Sequence, residues 1–168
     1  KSTRHPFYHI RQGQGIPVPA TRKPKGKGPT MIKCEIGDGL CQLWLARADK
    51  ANALTEGMLE AIAKAATDAA QQGARALILT GEGKVFSAGA DLEGMKAGLG
   101  TSSAWGRAAD ALTAFPGPTI AALNGTLAGG AMGVALACDI RIAVPTANFF
   151  YPVMRLGYLP QPLDPGRL

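Results

Sequence analysis

Two hydrophobic periodicities alternate along this chain. Met31 to Ile36 and Leu40 to Ala46 are short apolar-rich runs flanking Gly37-Asp38-Gly39, the pattern of two strands joined by a tight turn. Arg47 to Leu54 (RADKANAL) reads as a loop. Thr55 then precedes Met58, Leu59, Ile62, Ala65, Ala66 and Ala69, whose spacings of three and four predict a capped amphipathic helix ending near Gly73. Arg75 to Thr80 is a continuous apolar run, predicting a strand covered on both faces.

The turn Gly81-Glu82-Gly83 leads into KVFSAGADL, residues 84–92, and a short helical segment to about Lys96. GLGTSS is a flexible connection, followed by a helix from about Ala104 to Ala114 that Pro116 and Pro118 stop. Thr119 to Leu123 reads as another buried strand. Asn124-Gly125 is expected to turn the chain into a helix rich in small residues, from about Gly129 to Ala137. Asp139 to Val144 is the next strand, and Asn148, Phe149, Pro152 and Gly157 punctuate an irregular region. This alternation of strands and helices argues for an α/β fold in a single domain.

Composition changes the picture only at the N-terminus. The chain has 168 residues, 46% hydrophobic and 18% charged, with a net charge of +6. Residues 1–30 hold seven basic residues and no acid, so residues 31–168 are nearly balanced, with 11 basic against 12 acidic. The leader is read as a flexible basic segment, with a nucleic-acid or targeting arm as the alternative. Met31 fits a natural start, which would make the leader an added sequence. Its GKGPT string lacks the glycine spacing of a phosphate loop. No nucleic-acid partner is expected for the folded part.

Both histidines, His5 and His9, lie in the leader, so no Ser-His or Cys-His machinery is available to residues 31–168. Cys34, Cys41 and Cys138 lack metal-type spacing; no metal is expected, and they are read as buried free thiols of a cytoplasmic protein. No apolar run reaches the ~18 residues that a membrane span needs.

The chemistry points to main chain. KVFSAGADL and the run PTIAALNGTLAGGAMGVALACDIRIA both place small residues where a strand gives way to a helix, leaving N–H groups open to an anion. Either stretch alone also reads as a tight turn that permits close packing. Together they suit a reaction at a carbonyl, where two converging N–H donors stabilise a developing oxyanion; losing one typically costs about 3–4 kcal/mol.

RADKANAL, LILTGEGKVFSAGADL, the PTIAAL run and ANFFYPVMRLGYLP, in this order, resemble the crotonase superfamily, the enoyl-CoA hydratase/isomerase family. The resemblance implies a spiral of repeated ββα units, with the C-terminal helical part absent from this chain and residues 31–168 forming an incomplete acyl-CoA-binding core. It implies an acyl-CoA thioester as substrate, no other cofactor, and a homo-oligomer, trimer or dimer of trimers. It assigns the oxyanion donors to the backbone N–H groups of Ala90 and Gly130. It also assigns CoA contacts to Ala88, Asp91, Leu92, Lys50 and Ala51.

By the same resemblance, the two glutamates of the hydratases correspond here to Gly133 and Val153, neither of which can transfer a proton. The expected reading is an enzyme of atypical acid/base chemistry, with a non-catalytic acyl-CoA-binding relative as the alternative. Asp164 is the nearest later carboxylate. It lies in the turn-like string PLDPG, where an exposed turn residue is expected.

Overall fold

The computed structural model describes residues 31–162 and 164–166; the readings placed on the leader lie outside them. The expected hairpin is formed by strands β1 (Ile32–Gly37) and β2 (Leu40–Leu45), paired antiparallel about Asp38 and Gly39, both with positive φ. Helix α1 (Glu56–Gln71) begins where Thr55 accepts a hydrogen bond from the Met58 N–H, and ends before Gly73 in the left-handed region.

Strands β3 (Ala76–Gly81), β5 (Thr119–Leu123) and β7 (Ile140–Ala143) add to β2 in parallel, giving a five-stranded sheet of order β1-β2-β3-β5-β7. Its register aligns Cys41 with Leu77, Leu43 with Leu79, and Leu79 with Ala121, so these residues share one face. That face is fully buried with Met58, Leu59 and Ile62 of α1. Truncating Ile62 to Ala at such a site costs about 2–5 kcal/mol. Strand β3 was expected to be covered on both faces; its residues alternate between buried and half-buried. The far side of the sheet is only partly covered, and on β7 Ile140 and Ile142 are exposed.

Helix α3 (Ala104–Thr113) packs along α1, joined at the surface by Arg107 to Glu60 and by the Ser102 hydroxyl, which donates to Glu56 at 2.6 Å. Asp139 ties β7 to β5: its carboxylate accepts both the N–H and the hydroxyl of Thr119 at 2.8 Å.

A second sheet was not expected. Strands β4 (Val85–Ser87), β6 (Thr126–Ala128) and β8 (Phe149–Phe150) run parallel in the order β4-β6-β8. Asn124-Gly125 therefore turns the chain into β6, and the small-residue helix α4 starts later, at Ala131–Leu136. Between β4 and α3 lies the short helix α2 (Leu92–Lys96), capped by Asp91.

The cysteines are free, but only Cys41 and Cys138 are buried; Cys34 is half-buried, its sulfur 3.9 Å from that of Cys41. Among the described residues, no helix is long and apolar enough to cross a membrane, and no cluster of three or more His, Cys, Asp or Glu could hold a metal ion.

Candidate active site

The site grows from the small sheet. Beyond β4, the segment 88–91 is strapped to the loop 51–54: the Ala88 N–H donates to Ala51 O at 2.9 Å, Leu54 to Gly89 O at 2.7 Å, and Asp91 to Leu54 O at 2.9 Å. Ala90 is skipped in this ladder. Its N–H has no acceptor among the described residues.

Beyond β6, the Gly129 N–H donates to Phe150 O at 2.8 Å, while the Gly130 N–H likewise has no acceptor among the described residues. Unpaired backbone donors inside a folded chain are uncommon. Here two of them border one cavity.

Close approach of the two segments depends on glycine. Gly89 has φ +101, and a Cβ there would meet Ala128 O at 2.9 Å and the Gly129 Cα at 3.2 Å. Gly129 has φ +54. At Gly130 a Cβ would lie 2.9 Å from the ring of Trp105, which is buried and anchored by its indole N–H to Leu99 O at 2.8 Å.

The loop opposite is held from within by Asn52, which sequence reading alone did not single out. Fully buried and left-handed at φ 53, it accepts the Arg47 N–H at 2.9 Å. Its amide donates to Glu82 O at 2.9 Å and Val85 O at 2.8 Å. The Ser87 hydroxyl donates to Asn52 O at 2.8 Å and accepts from the Gly89 N–H at 3.2 Å, connecting this hub to the glycine of the first segment. The available signal was an Asn in a loop just before a strand-like contact, a residue type that tolerates the left-handed region.

Ala90 and Gly130 both line a cavity of about 370 Å³, together with Trp105, Tyr151, Val153 and Tyr158. A smaller cavity of about 210 Å³ adjoins it, sharing Trp105, Gly130 and Gln161 and adding Gly133 and Asp164. Contrary to expectation, Asp164 is not exposed: its backbone does turn, donating to Gln161 O at 3.0 Å, but only 2% of the residue meets solvent. Its carboxylate lies against Gly133, where a Cβ would stand 2.5 Å from Oδ1, and it accepts the Tyr151 hydroxyl. Burial, and then this carboxylate, push the Tyr151 phenol well above its usual range.

The other expected contacts divide. Ala88 and Leu92 line the larger cavity, and Ala51 adjoins it through its bond to Ala88. Lys50 is exposed and does not line it. The Asp91 side chain is used internally, bonded to Arg47 Nη1 at 2.6 Å and to the Gly94 N–H at 3.0 Å. Those partners, the Gly94 N–H first and Arg47 next, hold its carboxyl below the usual range.

The sequence profile described as enoyl-CoA hydratase/isomerase matches residues 35–164. Enoyl-CoA hydratase AKT6-1 of Alternaria alternata is 33% identical over 162 residues, covering 92% of this chain and 52% of the relative. The crystal structure of an enoyl-CoA hydratase from Shewanella pealeana superposes with a TM-score of 0.75 at 31% identity, covering 82% of this chain and 55% of that one. For an enoyl-CoA hydratase from Mycobacterium avium subsp. paratuberculosis, the TM-score is 0.71 at 29% identity, covering 77% and 53%. The chain spans about half the length of the curated relatives it matches. Its mixed sheet, parallel small sheet and strand-bordered glycine segments are the crotonase fold, and the chain belongs to the enoyl-CoA hydratase/isomerase family.

Proposed function

We propose that this chain binds an acyl-CoA thioester and stabilises the enolate that forms on the thioester oxygen, through the N–H groups of Ala90 and Gly130. The observation that carries this reading is the pair of unpartnered donors on one cavity, brought together by the Gly89–Gly129 contact. Such donors need no reorganisation when charge develops, which is why they favour the transition state over the ground state. Ala88, Leu92 and Ala51 border the CoA path in this reading, and Asp91 serves it through main chain, since its carboxylate is engaged with Arg47.

Gly133 and Val153 stand where a hydratase carries its glutamates, so the reaction is not the two-carboxylate addition of water. Asp164 is the candidate acid/base, its carboxylate occupying the space that a side chain on Gly133 would enter. The family assembles as trimers or dimers of trimers in this reading, and the protein works in the cytoplasm.

Gly133 and Val153 also favour a second reading, an acyl-CoA-binding protein without catalysis. Calorimetry with a saturated acyl-CoA tests what the two share; a protein that binds none ends both. Turnover of a panel of enoyl- and dienoyl-CoA esters separates them, since any product above background excludes the non-catalytic reading.

A further inference from the structure

Among the described residues, the cavity that holds both free donors has no carboxylate in its lining, and its titratable side chains there are Tyr151 and Tyr158. Asp164 lines only the smaller cavity. Chemistry through a thioester enolate nevertheless requires a group that carries a proton to or from carbon. Of the two tyrosines, Tyr158 is 39% exposed and lies over Gly100, and among the described residues no carboxylate is bonded to it. The Tyr151 hydroxyl donates to Asp164 Oδ2, linking the larger cavity to the buried acid.

We propose that Tyr151 is the catalytic proton carrier of this site and that Asp164 is the acceptor behind it. The proposal rests on the acyl-CoA reading above. In the forward step the substrate Cα–H bond breaks and a new O–H bond forms on Tyr151 Oη, while the proton already on Tyr151 passes to Asp164 Oδ2. The C–H electron pair becomes the carbon–carbon π bond of the enolate, and the carbonyl π pair it displaces moves onto the thioester oxygen, where the Ala90 and Gly130 N–H groups receive the charge. In the return step Asp164 gives its proton back to Tyr151 and Tyr151 delivers one to carbon; the oxygen pair re-forms the carbonyl as the carbon–carbon π pair of the enolate makes the C–H bond. Nothing is oxidised or reduced. The raised phenol value suits this hand-over, because a free phenolate is avoided when the two transfers are concerted.

The test follows α-proton exchange of butyryl-CoA in D2O by NMR, with affinity for the same thioester measured by calorimetry, in the full chain and in Y151F and D164N. Wild type is expected to bind and to exchange. Both variants are expected to keep affinity within about twofold and to lose exchange by about 100-fold or more, the usual range for removing a general acid or base. Exchange at the wild-type rate in a Y151F protein that binds would overturn the role of Tyr151. So would binding without exchange in the wild type. If Y151F does not fold, D164N carries the test alone, and undiminished exchange in it overturns the relay. A wild type that fails to bind the thioester overturns the acyl-CoA reading instead.

Discussion

The carboxylate of Asp164 fills the space into which a side chain on Gly133 would project, a Cβ there standing 2.5 Å from Oδ1. The two residues are 31 apart in sequence and meet where Asp164 packs against α4 at Gly133.

This contact makes Gly133→Ala a steric test. The added methyl has no room against the carboxylate, and overpacking of this kind costs about 1–3 kcal/mol. Urea denaturation should show that cost in the wild-type background and much less of it with Asp164→Ala, a coupling that a double-mutant cycle reads directly. Equal costs in the two backgrounds would mean that the carboxylate does not occupy this space.

Gly130→Pro removes one of the proposed oxyanion donors, at a residue whose φ of −60 already suits proline. Turnover should fall about 100- to 1000-fold while much of the CoA affinity survives. Gly130→Ala is the control: it crowds Trp105 but keeps the N–H. Matching losses in the two variants would assign the effect to crowding.

Asn52→Ala should loosen the whole first segment. It deletes three side-chain hydrogen bonds to the backbone, a loss of about 3 kcal/mol at about 1 kcal/mol each. Amide exchange at residues 88–91 should accelerate together with the loss of stability. Unchanged protection there would detach the hub from the site.

The Arg47–Asp91 pair predicts an acid-dependent contribution. Because the folded carboxyl titrates below its unfolded value of about 3.9, its stabilisation is present above that pH and disappears as pH falls through the folded value. Asp91→Asn should therefore be less stable than wild type at pH 7, with the gap in Tm closing below about pH 4. A gap that does not narrow at all as pH falls below about 4 would show that the charge contributes nothing.

Thiol labelling should rank the cysteines. The bond to Cys41 lowers the half-buried Cys34, whereas burial pushes Cys138 up to about 12. Alkylation at pH 8 should reach Cys34 first and Cys138 only on unfolding. Early labelling of Cys138 would contradict its burial.

The large sheet and its helices were legible because their runs are long enough for periodicity to speak: α1 shows its buried face over sixteen residues. Strands β4, β6 and β8 have three, three and two residues, too few for any alternation to register. That is why Thr126 to Ala128 was passed over between a turn and a helix. Small residues at two junctions drew attention to the segments around Ala90 and Gly130, while the choice of those two residues came from the family resemblance. Asp164 was misjudged for a different reason. Turn chemistry is local, whereas its burial depends on Gly133 and Tyr151, brought to it only by tertiary packing.

The contact of Gly89 with Gly129 has a consequence for inheritance. A clamp assembled from peptide groups is blind to most side-chain mutation, provided that the glycines which let the two segments touch are kept. The proposed proton-handling groups, by contrast, sit on residues that single codon changes can exchange. A lineage can thus retain its grip on one class of ligand while rewriting, residue by residue, what it does with it.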